Sequence, residues 1–269
     1  MASRWRNLPA YLQLMKLWPQ TLAAYRVNVV FYLIGLLLQI FLLKMVWTAV
    51  YAGHAIVSGL PLPTLIAYLT LINVQLWALY PQMSYLMQQR IRDGLVALDM
   101  ARPVGYLQQM LCHEFGNALA ISPFVLLALP FAWLVGGLTL PASPAAGALY
   151  VVSVLLGYFI GLLIALLTGL VAFWTLEASG IAMIQTFVSA FFAGALVPLW
   201  FFPPTLLAVA HALPFQSEGF VPVAIYLGQL QGSAALHALG LQVFWVIALA
   251  ALARLVWSRA HRRVVVQGG

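Results

Sequence analysis

Charge is what this sequence has least of. Only 6% of its 269 residues are Asp, Glu, Lys or Arg, against about 25% in ordinary soluble domains, and that scarcity excludes a soluble globular protein. Cysteine is nearly absent: Cys112 stands alone, so no internal disulfide can form, and no Cys/His pattern with structural-zinc spacing occurs. The phosphate-loop pattern G-x-x-x-x-G-K-[ST] is missing, which leaves no nucleotide-binding machinery in the chain and assigns any ATP hydrolysis to another polypeptide. His113-Glu114-Phe115-Gly116-Asn117 starts like the H-E-x-x-H of zinc proteases but has Asn where the second ligand belongs. That motif fails, and an interfacial structural role for His113 and Glu114 is expected instead.

What the chain does have is apolar side chains, 64% of the total, with a mean hydropathy of +1.01. Runs of about 20 apolar residues, enough to cross ~30 Å of hydrocarbon, fall near 27–51, 64–88, 113–137, 147–174, 179–201 and 236–257. The expectation is an all-α integral membrane protein with six transmembrane helices over 27–269, preceded by an interfacial segment at 1–26. No cleavable signal peptide is recognised, so the amino terminus is expected to be retained. No Gly-x-Ser tripeptide lies in the last four spans, which argues against a rhomboid-like serine protease.

The twelve basic residues exceed the five acidic ones, and their placement explains the excess without nucleic acid as a partner. Arg4, Arg6, Lys16 and Arg26 precede the first span, Arg90, Arg92 and Arg102 follow the second, and Arg254, Arg259, Arg262 and Arg263 end the chain. In a six-span arrangement all three clusters share one side, so the positive-inside rule predicts cytoplasmic termini. Lys44, near the outer end of the first span, is expected to snorkel to the interface.

Between the spans, three segments carry information. Trp5, Leu8, Leu12, Met15 and Trp18 recur at helical spacing beside Arg6 and Lys16, the pattern of an amphipathic helix lying on a membrane. The segment 88–105 holds both aspartates of the protein; it predicts a short cytosolic helix that Asp93 caps, Leu95 and Leu98 face, and Pro103 stops. Such a helix either docks in another protein's groove or lies on the membrane. The connection from Leu199 to Gly228 is too apolar for a solvated loop, so it is expected to re-enter the membrane as short broken helices at about 202–228, covered by protein. That region predicts an outer gate with Pro198, Phe202, Pro203, Pro214 and Phe215.

Within the spans, Gly157, Gly161, Ala165 and Gly169 form a stripe of small residues suited to close helix packing, either internal or at a dimer seam. Polar residues at helical spacing, Asn28, Tyr32 and Gln39 on the first span, Thr70, Asn73, Trp77, Tyr80 and Ser84 on the second, and Gln185 and Ser189 on the fifth, could line a translocation cavity. Hydrogen bonding between helices explains them equally well. Glu177 is expected in a cytoplasmic turn, and no mid-span carboxylate is recognised.

The run Phe192-Ala-Gly-Ala-Leu-Val-Pro-Leu-Trp-Phe-Phe-Pro-Pro, with Leu213-Pro-Phe215, Pro222, Ile225-Tyr-Leu-Gly228, Arg92-Asp-Gly94 and Arg102-Pro103, resembles the membrane permeases of type-2 ABC exporters, especially the branch associated with antibiotic and multidrug resistance. The similarity covers nearly the whole chain. It implies a six-helix half-transporter with an elbow helix, a coupling helix at about 91–103 and re-entrant outer helices. It further implies pairing with a second permease, identical or paralogous, and docking of two copies of an ABC ATPase subunit that carry the ATP and Mg. By this resemblance Arg92, Asp93, Gly94, Leu95, Asp99, Arg102 and Pro103 would contact the ATPase, and Asn73, Trp77, Tyr80, Gln185 and Ser189 would line the substrate pathway. The expected function is export of an amphipathic substrate across the cytoplasmic membrane, without catalysis or a bound cofactor in this chain. Two alternatives compete. A membrane enzyme acting on lipid-like substrates would need paired acids or a metal cluster, and a secondary carrier would call for repeats or intramembrane acids.

Overall fold

The structure is a computed structural model that describes Gln13 and residues 26–175 and 179–264. The amphipathic segment expected at 1–26, Gln13 and Arg26 excepted, and Glu177 lie outside the described residues. Long apolar helices dominate: α1 (Arg26–Tyr51), α5 (Tyr106–Leu134), α6 (Pro144–Thr175) and α10 (Gly232–Val264). A fifth is broken in two, α2 (Leu62–Leu79) and α3 (Met83–Arg92). Shorter elements are α4 (Val96–Met100), α7 (Ser179–Phe192), α8 (Pro204–Ala212) and α9 (Phe220–Tyr226), with 3-10 turns at Leu199–Phe201 and Pro214–Ser217. A two-residue antiparallel hairpin, β1 (Ile56–Val57) with β2 (Leu60–Pro61), interrupts the helical pattern between α1 and α2.

Among the described residues, four helical stretches are long and apolar enough to cross a membrane, and a fifth is counted if the two halves of α5, bent by 49°, form one span. Pro123 and Pro130 inside α5 account for such a bend, since each removes a backbone donor and crowds the preceding turn. The stretch expected to span at 179–201 is different. Helix α7 has 14 residues, roughly 21 Å at 1.5 Å per residue, short of a ~30 Å core. A Schellman motif ends it: Gly194 has φ +82°, Ala195 N–H donates to Ala190 O at 3.1 Å, and Gly194 N–H donates to Phe191 O at 3.1 Å. The apolar run continues past this point, but the helix does not.

Helix α6 is the hub, packing against α10, α3 and α9. Its small-residue stripe makes internal contacts rather than being left for a dimer seam. A Cβ at Gly157 would lie 2.5 Å from Ser217 O, one at Gly161 would lie 3.0 Å from Glu218 Oε2, and one at Gly169 would meet Met87 Sδ at 2.8 Å. Glycine there lets α3 and the outer connection approach the α6 backbone. Two main apolar clusters result. One joins Tyr68, Leu199, Phe220 and Ile225 around the outer connection; the other joins Met83, Met87, Tyr106, Leu170 and Phe173 toward the opposite end.

Candidate transport and coupling sites

The segment after α3 is built to hold one apolar knob outward. Helix α3 ends at a second Schellman motif, with Gly94 at φ +70°, Leu95 N–H bonded to Arg90 O at 2.9 Å and Gly94 N–H to Ile91 O at 3.1 Å. Asp93 is therefore the C-cap of α3 and not the N-cap of the next helix, a position that Leu95 takes without any side-chain cap. The predicted helix at 91–103 is reduced to the five residues of α4. Val96 is buried against the protein, whereas Leu98 is 65% exposed and Leu95 36%.

Beneath this knob lies Asp99, fully buried and gripped in a bidentate ion pair by the Arg90 guanidinium. Arg102 Nη1 approaches the same carboxylate at 3.5 Å. Gln109 on α5 donates its amide to Asp99 O at 2.7 Å and Val104 O at 2.8 Å, fastening the loop to the next helix. Of the residues the resemblance assigns to an ATPase contact, Arg92, Asp93, Leu95 and Arg102 present surface, while Asp99 faces inward. Pro103 and Arg102 also border an open cleft of about 590 Å³ completed by Trp257 and His261 of α10.

The second site centres on the break between α2 and α3. Pro81 forces extended backbone on Tyr80, φ −73° and ψ 117°, and the chain restarts as α3 two residues on. Gln82 N–H at that restart donates to Glu114 Oε2 at 3.1 Å. Glu114, expected at the membrane interface, thus lies two turns inside α5, 1% exposed, where it accepts one of the backbone N–H groups left unpaired at the start of α3. On the other side of the break, Tyr80 hydrogen-bonds Thr186 of α7 at 2.5 Å, Gln185 donates to Ser189 at 3.0 Å, and Ser189 donates to Glu218 Oε1 at 3.4 Å.

Three of the five residues predicted for a pathway are therefore joined around Glu218. The other two are not. Asn73 accepts from Gln39 of α1 at 2.8 Å and donates to Leu69 O and Ala195 O, tying helices together, and Trp77 packs on the cluster of Leu36, Ile40 and Ala128. Glu218 falls inside the region expected to re-enter the membrane at about 202–228. The re-entrant turns carry it to Gly157 and Gly161, midway along α6, so, against the expectation from the sequence, a carboxylate does lie beside the middle of a membrane-length helix. Lys44 donates to Val135 O at 2.6 Å, neutralising the carbonyl end of α5.

The residues expected at an outer gate divide between packing and backbone shaping. Phe202 stacks with Phe191 at 5.0 Å and Phe215 with Phe192 at 6.2 Å, so rings from the re-entrant turns close over the end of α7. Pro198 and Pro203 precede the first 3-10 turn and α8 as their N-caps, and Pro214 opens the second 3-10 turn.

The sequence profile of the ABC-2 family transporter proteins matches residues 33–268. The chain belongs to that family. It is a multi-pass membrane component of a transporter. No curated protein and no solved structure matches the chain significantly.

Proposed function

We propose that this chain is the permease of an ATP-driven exporter that moves an amphipathic substrate across the cytoplasmic membrane, using hydrolysis by separate ABC ATPase subunits. Family membership supports the transporter class. The observation that carries the coupling to a partner is α4, whose exposed Leu98 and Leu95 stand on a segment locked by Arg90, Asp99 and Gln109. An apolar knob with a charged rim fits a groove on a soluble partner. A rigid mount lets a push on that knob move α3 and α5 instead of deforming the loop.

In this reading α7 with the turns after it is the fifth of six spans, thinned from outside by the re-entrant turns, and both termini are cytoplasmic, where the basic clusters collect. Two permeases pair, identical or paralogous, and the cavity between them uses Tyr80, Gln185 and Ser189. Closure of the ATPases drives the α4 knobs, and the cavity changes from an inward form that binds substrate to an outward form that binds it less well.

The test is Leu98→Glu in the complex of permease and ATPase. Burying a carboxylate in an apolar groove costs ~1.4 kcal/mol or more, so docking weakens about tenfold or beyond. Hydrolysis by the complex falls to the level of the ATPase alone, while the melting temperature of the permease stays within 2 °C or so of wild type, because an exposed position is altered. Full stimulation by the Leu98→Glu chain overturns the assignment of α4.

A further inference from the structure

Glu218 is a carboxyl group set against the middle of a membrane-length helix, with no cationic partner among the described residues. The ion pairs among the described residues involve Arg90, Arg92, Arg102 and His113, and none reaches it. Its described neighbours are neutral: Ser189 from α7, Tyr80 beyond α2, Gln75 from α2, and Gly157 and Gly161 from α6. Acids placed so deep are expensive and mark functional sites by default, with a partner expected.

A second observation points to what that partner is. Gln75 is 5% exposed, and its amide nitrogen donates to Glu218 O at 2.7 Å, yet its Oε1 has no hydrogen-bond partner. Gln75 and Glu218 line the same small pocket, of about 20 Å³, whose apolar wall is Leu76, Leu79 and Pro81. The free valences there are all acceptors: the carboxylate oxygens and an orphaned amide oxygen. Such a buried acceptor costs stability until a donor reaches it. The volume suits a single water-sized group, and the apolar wall suits methylenes attached to it.

The geometry points to a binding site for the primary ammonium group of an amphipathic molecule, held by Glu218 and Gln75 Oε1 with its first methylenes against Leu76 and Leu79. The inference rests on the permease reading and names its substrate class. A primary ammonium offers three donors to these acceptors and supplies the missing positive charge. A trimethylated ammonium has no donor and does not fit. Both a transported amine and an ethanolamine lipid headgroup carry this chemistry.

The experiment uses the full chain in phosphatidylcholine nanodiscs and follows its melting temperature without the ATPase, so that it can fail while the Leu98 test succeeds, or the reverse. Hexylammonium chloride raises the melting temperature saturably, and hexyltrimethylammonium chloride at equal concentration does not. In Glu218→Gln the hexylammonium response is lost. Should that variant not fold, Gly161→Ala sets a methyl 3.0 Å from Glu218 Oε2 and loses the response too. Exchanging part of the phosphatidylcholine for phosphatidylethanolamine separates the sources: a rise with that lipid, absent in Glu218→Gln, upholds ammonium recognition and assigns it to lipid. The site is overturned by equal responses to the two hexyl salts, by a response that survives in a folded Glu218→Gln chain or, where that variant does not fold, in Gly161→Ala, or by no response to any amine in the wild type, which is the behaviour of a carboxyl that is merely protonated.

Discussion

Gly157→Val destabilises the chain by about 2–3 kcal/mol, the sum expected for overpacking and for one buried hydrogen bond lost. The β-carbon would stand 2.5 Å from the backbone oxygen of Ser217, an atom that no rotamer change can move away. That oxygen accepts from Gln242 Nε2 at 2.9 Å. Gln242 is fully buried on α10, and it also accepts from Ser153 Oγ at 2.9 Å and donates to Ser153 O at 3.1 Å. One side chain thus clamps α6, α10 and the re-entrant turn together, and Gly157 is the gap through which the turn enters. Pushing Ser217 outward strands the Gln242 amide and lifts Glu218 away from Ser189. Gly35→Ala on α1 is the control, since nothing lies within 4 Å of a Cβ there, and better helix propensity leaves it neutral or up to ~1 kcal/mol more stable. Thermal unfolding in detergent separates the two. A Gly157→Val chain as stable as Gly35→Ala would show that the outer connection does not insert against α6.

The long helices were legible in the sequence because hydrocarbon selects for length and apolarity alone, and both are one-dimensional properties. Where the backbone turns inside an apolar run is a different matter. Pro81 carried a local signal for the break in the second span, since a proline removes a donor and straightens the residue before it, yet hydropathy passes smoothly over it. The end of α7 depends on the φ +82° of Gly194, one glycine among several in apolar surroundings. Its position is also enforced from afar: Tyr68 donates to Gly194 O at 3.1 Å, and a Cβ there would meet that hydroxyl at 2.4 Å.

The depth of Glu218 was hidden for the same reason. A re-entrant segment sinks as far as its neighbour leaves room, and the room is made by Gly157 and Gly161 on another helix. The glycine spacing announced a close approach without naming the element that approaches. Tyr80, Gln185 and Ser189 were picked out by polarity at helical spacing, a pattern that Asn73 shares. What separates them is partner identity, with Asn73 spent on Gln39 and backbone carbonyls and the others gathered at one carboxylate.

Asp99→Ala is expected to cost about 2–3 kcal/mol, near the low end for a broken buried pair because the Arg90 side chain remains 25% exposed. The loss comes chiefly from leaving the Arg90 guanidinium without its carboxylate, and Arg102 loses the same partner at 3.5 Å. Replacing both members, Arg90→Leu with Asp99→Leu, removes the orphaned charge, so the double variant melts above the single one although it carries more substitutions. The two changes also differ in consequence for transport. Asp99 shows no surface to a docking partner, so its loss acts by loosening the mount beneath Leu98. In Asp99→Ala, stability and stimulated hydrolysis fall together, whereas Leu98→Glu loses stimulation at unchanged stability. The double variant decides whether the ion pair itself is needed: if apolar packing restores the melting temperature and the stimulation with it, rigidity of the loop is the requirement, and the charges are one means of supplying it. A single variant as stable as wild type would instead mean that Gln109, bonded to Asp99 O and Val104 O, holds the segment alone.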